Sequence, residues 1–200
     1  MILAFPALLA LAHQCAPGIA PEAILSIVTV ESRRDPLAIN VNGIGRIRAG
    51  SPDEAIALAT RWINAGYSVD LGIAQINSRN LGWTGLSVAS AFDACANLAA
   101  AQKVLQISYA RASREASGLD AISRTFSLYN TGNTTRGFRN NYVARVWRAA
   151  EDVVPRISEP GPRPPAVAQL ARADAAGTSA ASAKPSFVVG PFTGSVLVFR

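Results

Sequence analysis

Between residues 1 and 155, apolar side chains recur at helical spacing in nearly every stretch, and Pro, Gly and Asn cut that pattern at short intervals. Pro17-Gly18 closes a first segment. Pro21 then suits the first position of a helix running to about residue 34, where Asp35-Pro36 stops it. Ser51-Pro52-Asp53-Glu54 combines an N-cap serine, a first-turn proline and a capping-box glutamate, predicting a helix over 52–65 closed by Gly66. Further helices are predicted within 90–117, one or two of them stopped by Gly118, then over 119–129 and over 141–154 up to Pro155. Two stretches break the helical rhythm. Asn42-Gly43 and Gly45 mark a turn or hairpin, and residues 68–77, with Gly72 inside and Ile73, Gln75 and Asn77 alternating, read as extended chain or turn. The expected class is mainly α, more narrowly α+β: a helical domain over 1–155 with a small hairpin region.

From Arg156 the composition changes. Six of the twelve prolines fall in the last 45 residues among Ala, Ser and Gly, which predicts a flexible tail over 156–200. Its end is β-prone at Phe187-Val188-Val189 and Ser195 to Phe199, and reads either as a weakly ordered sticky tail or as a strand that pairs with a partner's sheet edge. The net charge of +6 is divided: residues 1–155 hold fourteen Lys and Arg against eleven Asp and Glu. So diffuse an excess is a poor nucleic-acid footprint, and none is expected as a partner. The apolar run 1–12 is too short to span a bilayer and has no basic residue before it, so it reads as a first core helix rather than a leader. The lone histidine, His13, has no partner pattern and reads as a helix-surface or capping residue rather than a catalyst. Cys15 and Cys95 lack the companions a metal site needs, so no metal is expected. A bridge between them would close a loop of about 80 residues, worth on the order of 4 kcal/mol; two separate buried thiols are the alternative.

Chemistry is suggested first by Glu31. With Ile24, Ile27 and Val28 it falls at i, i+3, i+4 and i+7, which places the carboxyl on the apolar stripe of its helix. An apolar flank and the last turn of a helix both disfavour an anion. A carboxyl kept protonated there can give its proton to a leaving oxygen. The same position also suits a helix-end glutamate paired with Arg34. Two polar clusters follow on non-helical backbone: Gly72-Ile73-Ala74-Gln75-Ile76-Asn77 and Tyr129-Asn130-Thr131-Gly132-Asn133. Amides and a phenol suit the N-acetyl and hydroxyl groups of a sugar, and glycine would let backbone approach a ligand closely. Taken singly, each cluster is equally turn chemistry.

In order, Glu31-Ser32, Gly72-x-x-Gln75-x-Asn77 and Tyr129-Asn130-x-Gly132 form a set that resembles the soluble lytic transglycosylase family, which has a lysozyme-like fold. The branch associated with type IV secretion systems is the most similar, through flanks such as Pro36-Leu37-Ala38-Ile39, residues 78–83, residues 91–98 and Gly137-Phe138-x-x-x-Tyr142-Val143. The resemblance spans about residues 5–150. It implies that Glu31 protonates the glycosidic oxygen between N-acetylmuramic acid and N-acetylglucosamine, then takes the proton of the muramyl C6 hydroxyl. It also implies that Ser32 orients Glu31 or touches the sugar, that Gln75 contacts an N-acetyl sugar, and that Tyr129 and Asn130 frame the acid and the saccharide, with Asn77 a further contact. The bulky residue usual before the glutamine is Ala74 here, which should enlarge that wall of the cleft. No cofactor is implied. The expected partners are peptidoglycan strands and, through the tail, envelope proteins of a secretion apparatus, and the expected location is the periplasm. Cys15 and Cys95 are then expected to be bonded, since the segments carrying them both belong to the core.

Glycosidases that use water need two carboxyls, about 5 to 9.5 Å apart. One suffices where the substrate's own N-acetyl oxygen stabilises the oxocarbenium-like centre and its C6 hydroxyl replaces water, leaving an anhydro sugar. Asp35 and Asp70 are the candidates for a second carboxylate. Were Asp70 to hold a water, the chain would be a hydrolytic muramidase; a non-catalytic glycan-binding scaffold is the other alternative.

Overall fold

The computed structural model describes residues 2–158 and orders them as eight α-helices around a small antiparallel sheet, an α+β arrangement of the lysozyme-like kind. The helices are α1 (Phe5–Cys15), α2 (Pro21–Ser32), α3 (Pro52–Asn64), α4 (Leu81–Thr84), α5 (Ala94–Ala112), α6 (Gly118–Thr131), α7 (Arg136–Arg139) and α8 (Tyr142–Ser158). The strands are β1 (Ile39–Val41), β2 (Gly45–Ile47), β3 (Val69–Leu71) and β4 (Ile76–Asn77), in the order β2-β1-β3-β4. Residues 159–200, and with them most of the expected tail and its β-prone end, lie outside the described residues.

Helix α2 is the structural axis. Ile24, Leu25, Ile27 and Val28 have no exposed surface, and burial of each stabilises the fold by about 1.5–3 kcal/mol. Their sum exceeds the cost of desolvating one carboxyl, on the order of several kcal/mol, so the stripe can carry Glu31 into the interior, where it is 6% exposed. The helix packs against α8 on one side and α1 on another. It ends at Ser32, two residues earlier than expected, because Arg33 and Arg34 both adopt left-handed backbone, with φ of 59° and 68°. The Arg33 and Arg34 N–H groups close the helix on the Thr29 and Val28 carbonyls, satisfying two of its last acceptors. Leu3 holds this turn from outside: its N–H donates to the Arg34 carbonyl at 2.9 Å, and Arg34 Nη1 donates to the Leu3 carbonyl at 3.2 Å.

Helix α1 is a core helix, with Leu8 and Ala12 buried and His13 on the surface. Its last residue, Cys15, is joined to Cys95 at the start of α5, with Cα atoms 5.3 Å apart. Helix α3 starts on Ser51, whose Oγ accepts from Glu54 N at 3.2 Å; the glutamate's returning bond goes to Gly50 N, one residue before the cap. Helix α5 ends at Ala112, short of the expected stop at Gly118, and Gly118 instead opens α6. Helix α8 continues through Pro155, the expected stop, to Ser158. A proline costs a helix one hydrogen bond, but beyond it Arg156 lies 4.0 Å from the centre of the Phe5 ring and Ile157 packs on the core, contacts that offset the loss.

The sheet register sorts side chains by chemistry. Ile39 pairs with Ile47 and with Leu71, and Leu71 with Ile76, whereas Asn40 pairs with Asp70 and Asp70 with Asn77. One face is therefore apolar and the other carries Arg46 and a row of amides about a carboxylate.

Two expectations for the turn between β3 and β4 are corrected. Gly72 is needed for packing, not for backbone approach to a ligand: at its φ of 75°, a Cβ would lie 2.1 Å from the Ala91 carbonyl oxygen and 2.5 Å from Asn97 Nδ2. Ala74 does not shape an open wall, because it is fully buried, its N–H donating to Asn97 Oδ1 at 2.8 Å and its carbonyl accepting from Tyr129. Asn97, with no exposed surface, also donates to the Leu71 and Ala91 carbonyls and so ties this turn to α5.

Candidate active site

The carboxyl of Glu31 meets α8 at its first residue. Tyr142 Oη donates to Glu31 Oε1 at 2.8 Å, and the tyrosine is 1% exposed. The backbone carbonyl of Glu31 accepts from Arg46 Nη2 on β2. Arg34, the alternative partner three residues on, is committed to the Leu3 carbonyl.

Hydrogen bonds connect this acid to both polar clusters. Tyr142 N donates to Asn140 Oδ1 at 3.0 Å, and Asn140 Nδ2 donates to Asn130 Oδ1 at 2.9 Å. Next to Asn130, Tyr129 sends its hydroxyl to the Ala74 carbonyl at 2.7 Å and so braces the turn that carries Gln75. Gln75 is 4% exposed, in left-handed backbone at a φ of 54°. Its Nε2 donates to the Ala38 carbonyl at 3.0 Å and to the Gly72 carbonyl at 2.9 Å, which occupies both amide hydrogens in holding the turn against the chain that follows α2. Ser32 is buried, its Oγ donating to the Val28 carbonyl and accepting from Asp35 N, each at 3.2 Å. It lines a hollow of about 510 Å³ together with Asp35, Arg33, Arg46 and Arg48.

Asn77 belongs to the polar face of the sheet. Its Nδ2 donates to Asp70 Oδ1 and to Ser68 Oγ, both at 2.7 Å, and its Oδ1 accepts from Arg79 N. Asp70, with no exposed surface, also accepts at Oδ2 from Asn40 at 3.1 Å and from Asn42 at 3.3 Å. Asp35 Oδ1 accepts from Leu37 N at 3.0 Å, a cap on the turn after α2. Asn42, in sequence only a turn residue, lines a second hollow of about 550 Å³ with Asn130 and Asn140. Tyr142 is in sequence a helix-face residue and a familiar flank. Nothing local marks either residue, since the partners of both are far away in sequence. Among the described residues, no group of three or more His, Cys, Asp or Glu could hold a metal ion, and no helix is long and apolar enough to cross a membrane.

A buried carboxyl held by a phenol, and joined through Asn140 and Asn130 to an amide-lined hollow, is a site of the acid–base class. The chain matches the transglycosylase SLT domain over residues 9–147 and belongs to that family. Its relatives include protein virB1 of Rhizobium radiobacter, 40% identical over 150 residues that cover 74% of this chain and 63% of the relative. The type IV secretion system protein virB1 of Brucella abortus biovar 1 (strain 9-941) is 41% identical over 151 residues, covering 72% and 63%. The chain thus spans about 63% of the length of these curated relatives. Among solved structures it has no match.

Proposed function

We propose that the chain is a peptidoglycan lytic transglycosylase that cuts between N-acetylmuramic acid and N-acetylglucosamine, leaves 1,6-anhydromuramyl ends, and opens the wall for a type IV secretion apparatus. Membership of the SLT domain family and the likeness to two virB1 proteins support the substrate and the setting. The wall substrate and the Cys15–Cys95 bond both suit the periplasm. The observation that carries the chemistry is the buried Glu31 carboxyl under the Tyr142 hydroxyl. Protonated, it gives its proton to the leaving glycosidic oxygen; as carboxylate, it takes the proton of the C6 hydroxyl that attacks the anomeric carbon. Ser32, Gln75, Asn77, Tyr129 and Asn130 are the proposed residues that shape and contact the saccharide cleft.

The transglycosylase reading is favoured over a hydrolytic one by Asp70. With no exposed surface and three asparagine amides upon it, this carboxylate has no face on which to activate a water against the sugar. Asp35 is occupied in capping its own turn. The test is mass spectrometry of muropeptides released from purified sacculi. Anhydro ends are expected; reducing ends would assign a muramidase, and binding without released sugar a scaffold.

Tyr142 is a positioning residue in this scheme. Tyr142→Phe removes a hydrogen bond to the reacting carboxyl, a loss of about 1.5–3 kcal/mol for a charged partner, so kcat is expected to fall at least tenfold. The phenyl ring keeps the packing, and KM should stay within about twofold. An unchanged kcat would remove Tyr142 from the mechanism.

A further inference from the structure

We propose that the 550 Å³ hollow beside the acid is a carboxylate-binding subsite, in which Arg136 and Arg139 recognise the carboxylates carried by the muramyl residues of a peptidoglycan strand. The proposal takes the identity of the strand from the function proposed above. The hollow is lined by Asn42, Asn130, Thr131, Arg136, Arg139 and Asn140. Every lining residue is polar, two are cationic and none is acidic.

The two arginines stand three residues apart on α7, a spacing that puts their side chains on neighbouring positions of one face. Both are exposed, and neither guanidinium has an ion pair or hydrogen bond among the described residues. Arg34, Arg46 and Arg124, by contrast, are committed to the Leu3 carbonyl, the Glu31 carbonyl, and Asp120 and Glu115 respectively. The hollow on the Ser32 side differs in having apolar lining residues, a carboxylate in Asp35, and one of its arginines, Arg46, committed to the Glu31 carbonyl. Asn130 adds a donor to the Arg136–Arg139 hollow: its Oδ1 accepts from Asn140, while its Nδ2 has no protein partner among the described residues.

Position ties this hollow to the chemistry. Asn140, on its wall, accepts from Tyr142 N, and the same tyrosine donates to Glu31. In the proposed mode a strand held for cleavage at Glu31 extends over the Asn140 side and reaches the two guanidiniums. Its N-acetyl sugars are neutral. Its anionic groups are carboxylates, either of the stem peptide or of the lactyl ether where no peptide is attached. A guanidinium fork matches a carboxylate with two parallel hydrogen bonds, a geometry an ammonium group cannot supply.

The test measures binding to the full chain carrying Glu31→Gln, so that ligands survive. Three ligands of matched length are compared: peptide-bearing strands, the same strands stripped by an amidase, and neutral chito-oligosaccharides. Peptide-bearing strands are expected to bind roughly tenfold tighter than the neutral ligand at low ionic strength, as two partly exposed ion pairs would give. The gap should narrow as salt is raised. Adding Arg136→Ala and Arg139→Ala should shrink it to within about twofold, whereas the paired Lys substitutions should retain part of it. Stripped strands expose the lactyl carboxylate that the peptide-bearing strands hold as an amide: binding like the peptide-bearing strands shows that the subsite takes either carboxylate, and binding like the neutral ligand assigns it to the stem peptide. Equal affinity for charged and neutral ligands, or an unchanged gap in the double alanine variant, overturns the proposal. An arginine-dependent preference in a chain that yields no anhydro ends overturns the proposed function and leaves the subsite. Anhydro ends without any charge preference do the reverse.

Discussion

Glu31→Gln is expected to lower the release of muropeptides from sacculi by roughly a thousandfold, the scale at which a positioned acid and base contributes to proton transfer. The amide has nearly the shape of the carboxyl, and its oxygen can still accept from Tyr142 Oη at the buried end of α2. It can neither give the proton the glycosidic oxygen needs nor remove one from the C6 hydroxyl. Melting temperature should therefore move little while activity disappears. Glu31→Ala should be equally inactive but less stable by about 1–3 kcal/mol, because a buried hydroxyl loses an acceptor. Chromatography of soluble products beside a thermal melt separates the two effects, and a Gln variant that still lysed sacculi would remove Glu31 from the chemistry.

The second large effect concerns stability. Cys15 and Cys95 lie 80 residues apart in sequence, and their bond fastens the end of α1 to the start of α5. Replacing both by Ala releases a loop whose closure is worth on the order of 4 kcal/mol in the chain-entropy account. For a domain of this size, that corresponds to a fall in Tm of about 8–16 °C. Gly18 N, which donates to Gln102 Oε1 at 2.7 Å, is a remaining tie between the chain after α1 and α5, so the variant should still fold at low temperature. Calorimetry of the oxidised chain, the reduced chain and the double variant checks the figure. Equal melting of all three would show that the bond adds no constraint the packing does not already impose.

Much of the helical framework was legible because helix signals are local. The capping serine at 51, the proline at 21 and the apolar spacing from Ile24 to Glu31 lie within a few residues of what they specify. Helix ends were less legible where distant residues set them. Leu3 braces the left-handed turn at Arg33 and Arg34 from 31 residues away, and Phe5 meets Arg156 beyond Pro155 across most of the domain, contacts that leave no local trace. The turn from 72 to 75 was recognisable as a turn, but its glycine and alanine serve the core beneath it, a role set by Ala91, Asn97 and Tyr129.

The candidate site divides the same way. Helical period alone put Glu31 on the buried stripe, because every residue needed to judge that period lies within two turns of it. Its partner Tyr142 stands 111 residues away, and Asn42, Asn130, Arg136 and Arg139 come from a hairpin, a helix end and a short helix that share no pattern. Spacing along a chain tells which way a side chain points from its own element. Which other side chain it meets depends on how the elements pack, and here that packing brings a phenol to the acid and two arginines into one hollow with Asn130 and Asn140.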